Sequence, residues 1–386
     1  MKFIHTADWQ IGMTFKGFKE KARIMMEDDR LEVIEAIGEY ARNPKNEIDF
    51  VLVCGDMFDT PRVAESLIKK TFKKIERISK PVYVLAGNHE WNGTEFIFTS
   101  KYFIDNKPEN LHVIEAGSNS VEGVSMVGLV GAPLEGKTDT KDLIAQQIAS
   151  CGPTNAIRIL AGHGSIDAIM PAGGGKDLIS LAVIEAALAN GQIHYVAMGD
   201  RHSTTKVGDT GAVWYSGAPE PTSFTEDDQR NILVVEITPG AKPIVEKVEV
   251  GQWEFIRLGT KFSQHQIRTP DDLNAIEKLV DKISKPSKTA VKIYLDSVLD
   301  FDTDVRRGNL FDEWENDILA GFQVSKSSIG AKIESNPLLE KDPEGLSGYA
   351  LSAYRELKES AMSDDEDAET ALEALKLLTA FAGGNK

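Results

Sequence analysis

Five short polar motifs occur in order along the chain, and nearly all of them directly follow an apolar run. Side chains that follow parallel strands gather at the carboxyl edge of an open α/β sheet. We therefore expect residues far apart in sequence to form one site at that edge. The motifs are Asp8-Trp9-Gln10, Gly55-Asp56, Gly87-Asn88-His89-Glu90, Gly162-His163 and Gly199-Asp200-Arg201-His202.

The motifs offer carboxylate, amide and imidazole donors, which suit hard or borderline divalent ions such as Mn²⁺, Fe²⁺ or Mg²⁺. Neither Cys54 nor Cys151 belongs to a motif, so a thiolate zinc site is not expected. We expect each motif glycine to let the backbone turn sharply, so that the next side chain enters the site. Each motif alone is compatible with an ordinary turn, but the ordered set predicts a metal site.

Residues 1–250 alternate short apolar runs with helical patterns, which predicts an α/β or αββα layered fold. A helix is predicted over 61–78, with Thr60 as its N-cap and Pro61 at its first position. The predicted strands are 2–6, 50–54, 82–86, 112–115, 124–130, 157–161, 195–198, 213–216, 232–237 and 245–250.

The pattern changes after residue 250. Strands predicted at 253–258, 290–295 and 322–326 alternate with helices at 270–283 and 303–319, which indicates a smaller α+β capping domain over 251–340.

Residues 341–386 are predicted to form a tail of two amphipathic helices, the second beginning at a capping box over 363–366. These helices either pack on their own domain or bind a partner. The apolar stripe of the first helix consists of Leu346, Tyr349, Ala350, Ala353, Tyr354, Leu357 and Ala361.

The ordered motifs resemble those of the calcineurin-like metallophosphoesterase family. The opening sequence from His5 to Gly12 is similar to that of the SbcD-type nuclease branch. The resemblance implies two divalent metal ions, with Mn²⁺ favoured and Mg²⁺ or Fe²⁺ as alternatives. It also implies that Asp56 bridges both ions and that His89 is the catalytic histidine at the scissile phosphate. The implied metal ligands are Asp8, Gln10, Asp56, Asn88, His163, Asp200 and His202.

Two positions depart from the family pattern. Gln10 stands where the first motif usually has histidine, and Asp200 replaces the first histidine of the last motif. Both changes exchange nitrogen for oxygen, which favours harder ions such as Mn²⁺ or Mg²⁺. A catalytically weak scaffold subunit is one alternative that these departures leave open.

The net charge of −17 argues against tight DNA binding by this chain alone. The resemblance implies a DNA exonuclease or endonuclease of double-strand-break repair, working with an SbcC-like coiled-coil ATPase that supplies a basic groove. It also leaves a homodimer open. The alternative is a small-molecule phosphatase or a cyclic-nucleotide phosphodiesterase, which the acidic charge suits.

Lys16, Lys19 and Arg201 are candidates for contacting the substrate phosphates, although the two lysines also fit a solvated helix face. Trp9 and Trp91 flank the motif loops and are expected to pack, with base stacking as the alternative. No apolar run has the length of a membrane span, and no apolar leader precedes the first strand, so we expect a cytoplasmic protein without a membrane partner.

Overall fold

The computed structural model describes residues 1–92, 95–136, 141–169, 178–325, 329–333 and 346–361, and 370–372, 374–375 and 377–378 near the C-terminus. Contacts divide the chain into two units. The first is Met1–Ile256 with Lys288–Ala290, and the second is Arg257–Ser287 with Val291–Lys386. The division into three domains that the sequence suggests stays a prediction, and its boundary at residue 340 lies outside the described residues.

All ten strands predicted before residue 250 are present, with small shifts at their ends. The strands of this part are β1 (Lys2–Thr6), β2 (Phe50–Cys54), β3 (Val82–Leu85), β4 (Trp91–Asn92), β5 (Glu95–Phe96), β6 (Leu111–Val113), β7 (Gly117–Ser120), β8 (Val127–Ala132), β9 (Ile157–His163), β10 (Tyr195–Gly199), β11 (Thr205–Lys206), β12 (Val213–Tyr215), β13 (Asn231–Glu236) and β14 (Ile244–Glu249). One six-stranded sheet has the order β14-β13-β1-β2-β3-β6, and another has the order β11-β12-β10-β9-β8-β7. The strands β4 and β5 pair with each other.

Helices cover the outer faces of both sheets. They are α1 (Glu20–Arg42), α2 (Glu65–Ile78), α3 (Lys101–Asn106), α4 (Leu143–Ala149) and α5 (Leu181–Ala189). The first three pack on the first sheet, and α4 and α5 pack on the second. A third apolar layer lies between the sheets and includes Leu52, Ile159 and Tyr195. The predicted αββα layered fold is therefore confirmed.

The strand β2 shows how the sequence builds these layers. Successive side chains of a strand point to opposite faces of its sheet. Val51 and Val53 accordingly pack under the helices, whereas Leu52 and Cys54 face the second sheet. Because both faces are covered, the whole strand is apolar and buried.

The predicted start of α2 is wrong. The helix begins at Glu65, and Ala64 precedes it without a side-chain cap. Thr60 instead accepts a hydrogen bond from the backbone N–H of Arg62 at 3.3 Å. Asp59, the residue before Thr60, donates its backbone N–H to the carbonyl of Ile11, which directly follows the first motif, at 3.0 Å.

The predicted β-α-β-α-β order after residue 250 is present, but three further short strands accompany it. The elements are β15 (Glu254–Leu258), β16 (His265–Ile267), α6 (Pro270–Val280), β17 (Thr289–Ile293), β18 (Leu295–Leu299), α7 (Phe301–Glu313), β19 (Gly321–Val324) and β20 (Ile329–Ile333). The sheets have the orders β15-β17-β19 and β16-β18-β20. Thr269 and Asp272 form a reciprocal capping box at the start of α6.

The tail contains α8 (Gly348–Ala361), and the described residues of 370–378 are also helical. Tyr354 and Leu375 are fully buried in a cluster that both helices share. Tyr349, although predicted to belong to the apolar stripe, is 89% exposed. The predicted capping box at 363–366 lies outside the described residues.

In the part of the chain that the structure describes, no helix combines the length and the apolar composition that crossing a bilayer requires.

Candidate metal centre

The carboxyl ends of strands from both sheets bring the predicted ligands together. Potential ligand atoms of Asp8, Asp56 and His163 lie within 4.8 Å of one another, and all three residues are buried. Along the chain, Asp8 follows β1, Asp56 follows β2, Asn88 follows β3, His163 ends β9, and Asp200 and His202 follow β10.

One set of donors surrounds the imidazole of His163. Its Nε2 lies 3.0 Å from Asn88 Oδ1, 3.5 Å from Asp56 Oδ1 and 3.8 Å from Asp200 Oδ1. Its Nδ1 lies 2.9 Å from the backbone carbonyl oxygen of Cys54, which can only accept a hydrogen bond. This contact makes Nδ1 the donor and leaves Nε2 facing the oxygens. We call Asp56, Asn88, His163 and Asp200 the His163 group.

A second set, the His202 group, consists of Asp8, Gln10, Asp56 and His202. His202 Nε2 lies 3.9 Å from Asp8 Oδ1, and Gln10 Nε2 donates to Asp56 Oδ2 at 2.9 Å. The Gln10 Oε1 atom is buried and accepts no hydrogen bond from the described residues. A buried oxygen without a partner is costly, so this atom fits a metal ligand. The donors present therefore fit two divalent ions that share Asp56.

The backbone is strained at four of the predicted ligands. Asp8, Gln10, Asp56 and Asp200 have positive φ angles of 54°, 49°, 52° and 92°. Such angles cost free energy in residues other than glycine and are often found at functional sites. Backbone hydrogen bonds hold the loops in place, because Asp8 donates to the Gly55 carbonyl at 3.0 Å and Gln10 donates to the Asp56 carbonyl at 2.9 Å.

The motif glycines serve two different purposes. Gly55 has a φ of +87°, which agrees with the expected sharp turn. Gly87, Gly162 and Gly199 do not have positive φ angles, so that expectation is wrong for them. A Cβ on Gly87 would lie 2.2 Å from Asp56 Oδ1, and one on Gly199 would lie 1.8 Å from the Cys54 carbonyl oxygen. These two glycines allow neighbouring loops to approach the site closely.

His89 lies beside the buried ligands and is itself partly open to solvent, with 39% of its side chain exposed. Its Nε2 is 3.9 Å from Asp56 Oδ2, and its Nδ1 is 2.8 Å from the backbone carbonyl oxygen of Asp59. Asp59 Oδ1 is 3.7 Å from the same nitrogen. Asp59 thus orients His89, a role that the sequence pattern did not indicate although the residue follows a motif closely.

Glu90 links two of the motif loops. Its buried carboxylate accepts the backbone N–H groups of Asp56 at 3.1 Å, Phe58 at 3.0 Å and Gly87 at 2.8 Å. Burial and the charge of Asp56 raise the pKa of Glu90 to about 8. The sequence placed Glu90 in a motif but indicated no role for it.

The site binds protons unusually tightly. Burial raises the pKa of Asp8 to about 7. Burial alone would lower the pKa of His163, but the charges of Asp56, Asp8 and Asp200 outweigh it and raise that pKa to about 9. Burial would likewise lower the pKa of His202, but a hydrogen bond to Glu226 and the charge of Asp8 raise it to about 9.

The predicted substrate residues and tryptophans lie outside these two groups. Lys16 and Lys19 are exposed, and Lys19 is the N-cap residue of α1. Arg201 is exposed and donates from Nε to Thr205 Oγ1 at 2.8 Å. The buried Trp9 donates to Thr6 Oγ1, and Trp91 stacks on Phe96 with ring centroids 4.2 Å apart, so both tryptophans pack.

Comparison with known proteins identifies the family of this chain. The family model described as calcineurin-like phosphoesterase matches residues 1–204, which is more than half of the 386-residue chain. The chain belongs to the calcineurin-like phosphoesterase family. Members of this family hold two divalent metal ions and hydrolyse phosphoesters, and the cluster of Asp8, Asp56 and His163 lies within the matched residues.

Relatives within the family include proteins named as nuclease subunits. The chain is 26% identical over 290 residues to the SbcD subunit of the nuclease SbcCD of Bacillus subtilis, covering 64% of this chain and 69% of that protein. It is 24% identical over 293 residues to the Staphylococcus epidermidis protein of the same name, covering 66% and 74%. A dimetal phosphatase from Danio rerio is similar at 12% identity and a TM-score of 0.40, over 64% of this chain and 97% of that one.

The raised pKa values predict how the stability of the metal-free phosphoesterase depends on pH. Because His163 and His202 bind protons more tightly in the folded state, their contribution is complete below about pH 6.5 and is lost as the pH rises through about 9. The raised pKa of Asp8 acts in the same direction. Thermal melts of chelator-treated protein should show a falling melting temperature from pH 6.5 to 9, and Mg²⁺ added at pH 8.5 should restore it. A chelator-treated His163→Asn variant with the same pH dependence as the native protein would contradict this origin.

Proposed function

We propose that this chain is a two-metal DNA phosphodiesterase, an exonuclease or endonuclease that acts in double-strand-break repair in the cytoplasm. One observation carries the enzymatic part of the proposal. Buried carboxylate, amide and imidazole donors converge at the edges of two sheets, and the solvent-accessible His89 lies beside them. Buried ligands next to an exposed imidazole are the arrangement that metal-assisted hydrolysis needs.

The His202 group would hold one ion and the His163 group the other, with Asp56 shared. Two divalent ions would supply an activated water and neutralise the phosphate charge. His89 would hold a proton at Nε2 and donate it to the leaving oxygen, while Asp59 keeps Nδ1 as the second donor atom of the ring. The amide of Gln10 and the carboxylate of Asp200 supply oxygen donors, which favours Mn²⁺ over softer ions.

A catalytically weak scaffold is the first alternative. It would require that Gln10 and Asp200 prevent the His202 group and the His163 group from binding metal ions. However, both side chains lie where a ligand is needed: Gln10 contacts Asp56 Oδ2, and Asp200 Oδ1 lies 3.8 Å from His163 Nε2. Since both can still bind a metal, we favour an active enzyme.

The nuclease part of the proposal is supported by the relatives, which are named nuclease subunits. Exposed lysines at 16 and 19 flank Phe18 before α1, where they would contact substrate phosphates. A phosphatase or cyclic-nucleotide phosphodiesterase for small molecules is the second alternative, and the acidic net charge of −17 favours it. Cleavage of single-stranded DNA against cleavage of a small chromogenic phosphodiester separates the two.

Catalytic and ligand roles are separable by substitution. His89→Ala should lower hydrolysis of both substrates by about 10²-fold or more while two metal ions stay bound, because His89 acts on the leaving group. Asp56→Asn should lose metal and activity together, since Asp56 serves both ions. Metal content by mass spectrometry and initial rates check both results. His112→Ala is the control, because His112 stacks on Tyr83 away from the metal groups. Loss of metal in His89→Ala would show that the two roles are wrongly assigned.

Phosphate contact by the lysines predicts a salt-dependent effect on DNA binding. Replacing both Lys16 and Lys19 by Ala should weaken binding of single-stranded DNA and reduce the salt slope by about 0.7 per lost contact. Hydrolysis of the chromogenic diester should not change. Replacing Lys69 and Lys70 of α2, which are also exposed, makes the same change in net charge elsewhere. Equal effects of the two pairs would show that only the overall charge matters.

We also propose an SbcC-like coiled-coil ATPase as a partner, with a homodimer as a further proposal. The relatives' name, which gives each as one subunit of SbcCD, supports a two-component complex. The tail is the candidate contact, because Tyr349 is 89% exposed and Leu377 is 61% exposed although the helices bury their other apolar face. An ATPase with a basic groove would also compensate for the acidic charge of this chain.

Surface and core substitutions in the tail should therefore behave differently. Replacing Tyr349 and Leu377 by Ser should weaken co-purification with the coiled-coil ATPase encoded in the same genome, without lowering the melting temperature. Leu375→Asp should lower the melting temperature, because Leu375 is fully buried and a charge there is costly. If the variant with both Tyr349 and Leu377 replaced still co-purifies with the ATPase as the native protein does, the tail is not the contact.

A further inference from the structure

His202 has different neighbours at its two ring nitrogens. Nε2 lies 3.9 Å from Asp8 Oδ1, on the side of the metal ligands. Nδ1 lies 3.0 Å from Glu226 Oε1 and 2.7 Å from Thr222 Oγ1. The carboxylate of Glu226 is therefore on the far side of the imidazole from the ligands, and it contacts His202 directly.

Hydrogen bonds to Thr222 hold Glu226 in this position. The carboxylate is buried, its Oε2 accepts the backbone N–H of Thr222 at 3.0 Å, and its Oε1 accepts the hydroxyl of the same residue. Since that hydroxyl donates to Glu226, its oxygen can only accept from His202. Both neighbours of Nδ1 are thus acceptors, so Nδ1 carries a proton, and in the neutral form of the imidazole Nε2 is the nitrogen with the lone pair.

A buried arginine connects this loop to the first motif. Arg30 donates to the carbonyl oxygen of Trp9 at 3.1 Å and to the carbonyl oxygens of Glu220 and Pro221. Trp9 lies between two predicted ligands, and Pro221 directly precedes Thr222. The guanidinium therefore fixes the position of the Thr222 loop relative to the first motif.

The two predicted metal histidines have different acceptors behind them. His163 Nδ1 contacts the neutral carbonyl of Cys54 at 2.9 Å, whereas His202 Nδ1 contacts a carboxylate. The side-chain donors of the two groups are otherwise matched, because each group contains two carboxylates, one amide and one imidazole. An anionic acceptor behind an imidazole increases the basicity of its metal-binding nitrogen.

We infer that Glu226 is a positioning residue that fixes His202 as an Nε2 ligand and places behind its imidazole a negative charge that His163 does not have behind its own. Glu226 acts through His202 and touches no substrate. The inference rests on the two-ion site of the proposed function and does not depend on whether the substrate is DNA. In this arrangement the charge of Glu226 would act on an ion of the His202 group through the imidazole, whereas the imidazole of the His163 group has only a neutral carbonyl behind it.

The test is a comparison of Mn²⁺ binding by calorimetry in the full-length native protein and in two variants. Glu226→Gln keeps the shape of the side chain and removes its charge, so it should weaken one of the two ions by about 10–100-fold and leave the other unchanged. Glu220→Gln is the matched control, because Glu220 is also buried and accepts the backbone N–H groups of Gln252 and Trp253 without contacting a predicted ligand. Both ions should bind it with native affinity.

Three results would overturn the inference: native affinity for both ions in Glu226→Gln, equal weakening of both ions, or the same weakening in Glu220→Gln. Native protein that binds no metal would instead defeat the two-ion site itself, so the two failures are distinguishable. A second measurement uses only the native protein, so its outcome does not depend on whether a variant folds. Nitrogen-15 NMR of the Mg²⁺-loaded native protein should show His202 with its proton on Nδ1, and a proton on Nε2 would contradict the assignment.

Discussion

Asp8, Asp56 and Glu90 are carboxylates with almost no solvent exposure, and they lie together at one edge of the first unit. Negative charges placed close together away from water are costly unless donors or cations surround them. Three backbone N–H groups point at Glu90, and the imidazole of His163 lies among the carboxylates. The motif loops adopt backbone conformations with positive φ angles, and these conformations bring the donors close to the carboxylate oxygens.

The ordered motifs were sufficient to predict that Asp8, Asp56 and His163 lie together, because their positions relative to the strands are a local property of the sequence. An apolar run predicts a buried strand, and a polar residue at its end lies at the edge of the sheet. His163 and Asp56 are far apart in sequence, yet each could be placed by its own strand, β9 or β2.

Residues that contact a predicted ligand without being ligands themselves are not marked in the sequence by a position at the end of an apolar run. Glu226 is one acidic residue in a loop, and its contact with His202 depends on the path of the chain around Pro221, which Arg30 holds. Glu90 differs from Glu226 because it adjoins His89 in a motif, and this position in the sequence already indicates burial near the site. The start of α2 was mispredicted because a tertiary contact of Asp59 with Ile11 outweighs the local preference of Pro61 for a first helical turn. The strand β16 has only three residues, too few for an alternation, and β18 follows β17 after the single residue Tyr294, so the sequence reads as one apolar run there.

The predicted ligands come from two sheets, and they are contributed by different parts of the chain. Asp8, Asp56 and Asn88 follow strands of the first sheet, whereas His163, Asp200 and His202 belong to the second. A nascent chain that ends before β9 already contains four of the seven predicted ligands but neither of the two predicted imidazole ligands. Such a fragment lacks a complete ligand set for either ion. With the proposed ligands, a hydrolytic centre would therefore require both sheets to be packed together, so an unfinished chain would not hydrolyse phosphoesters.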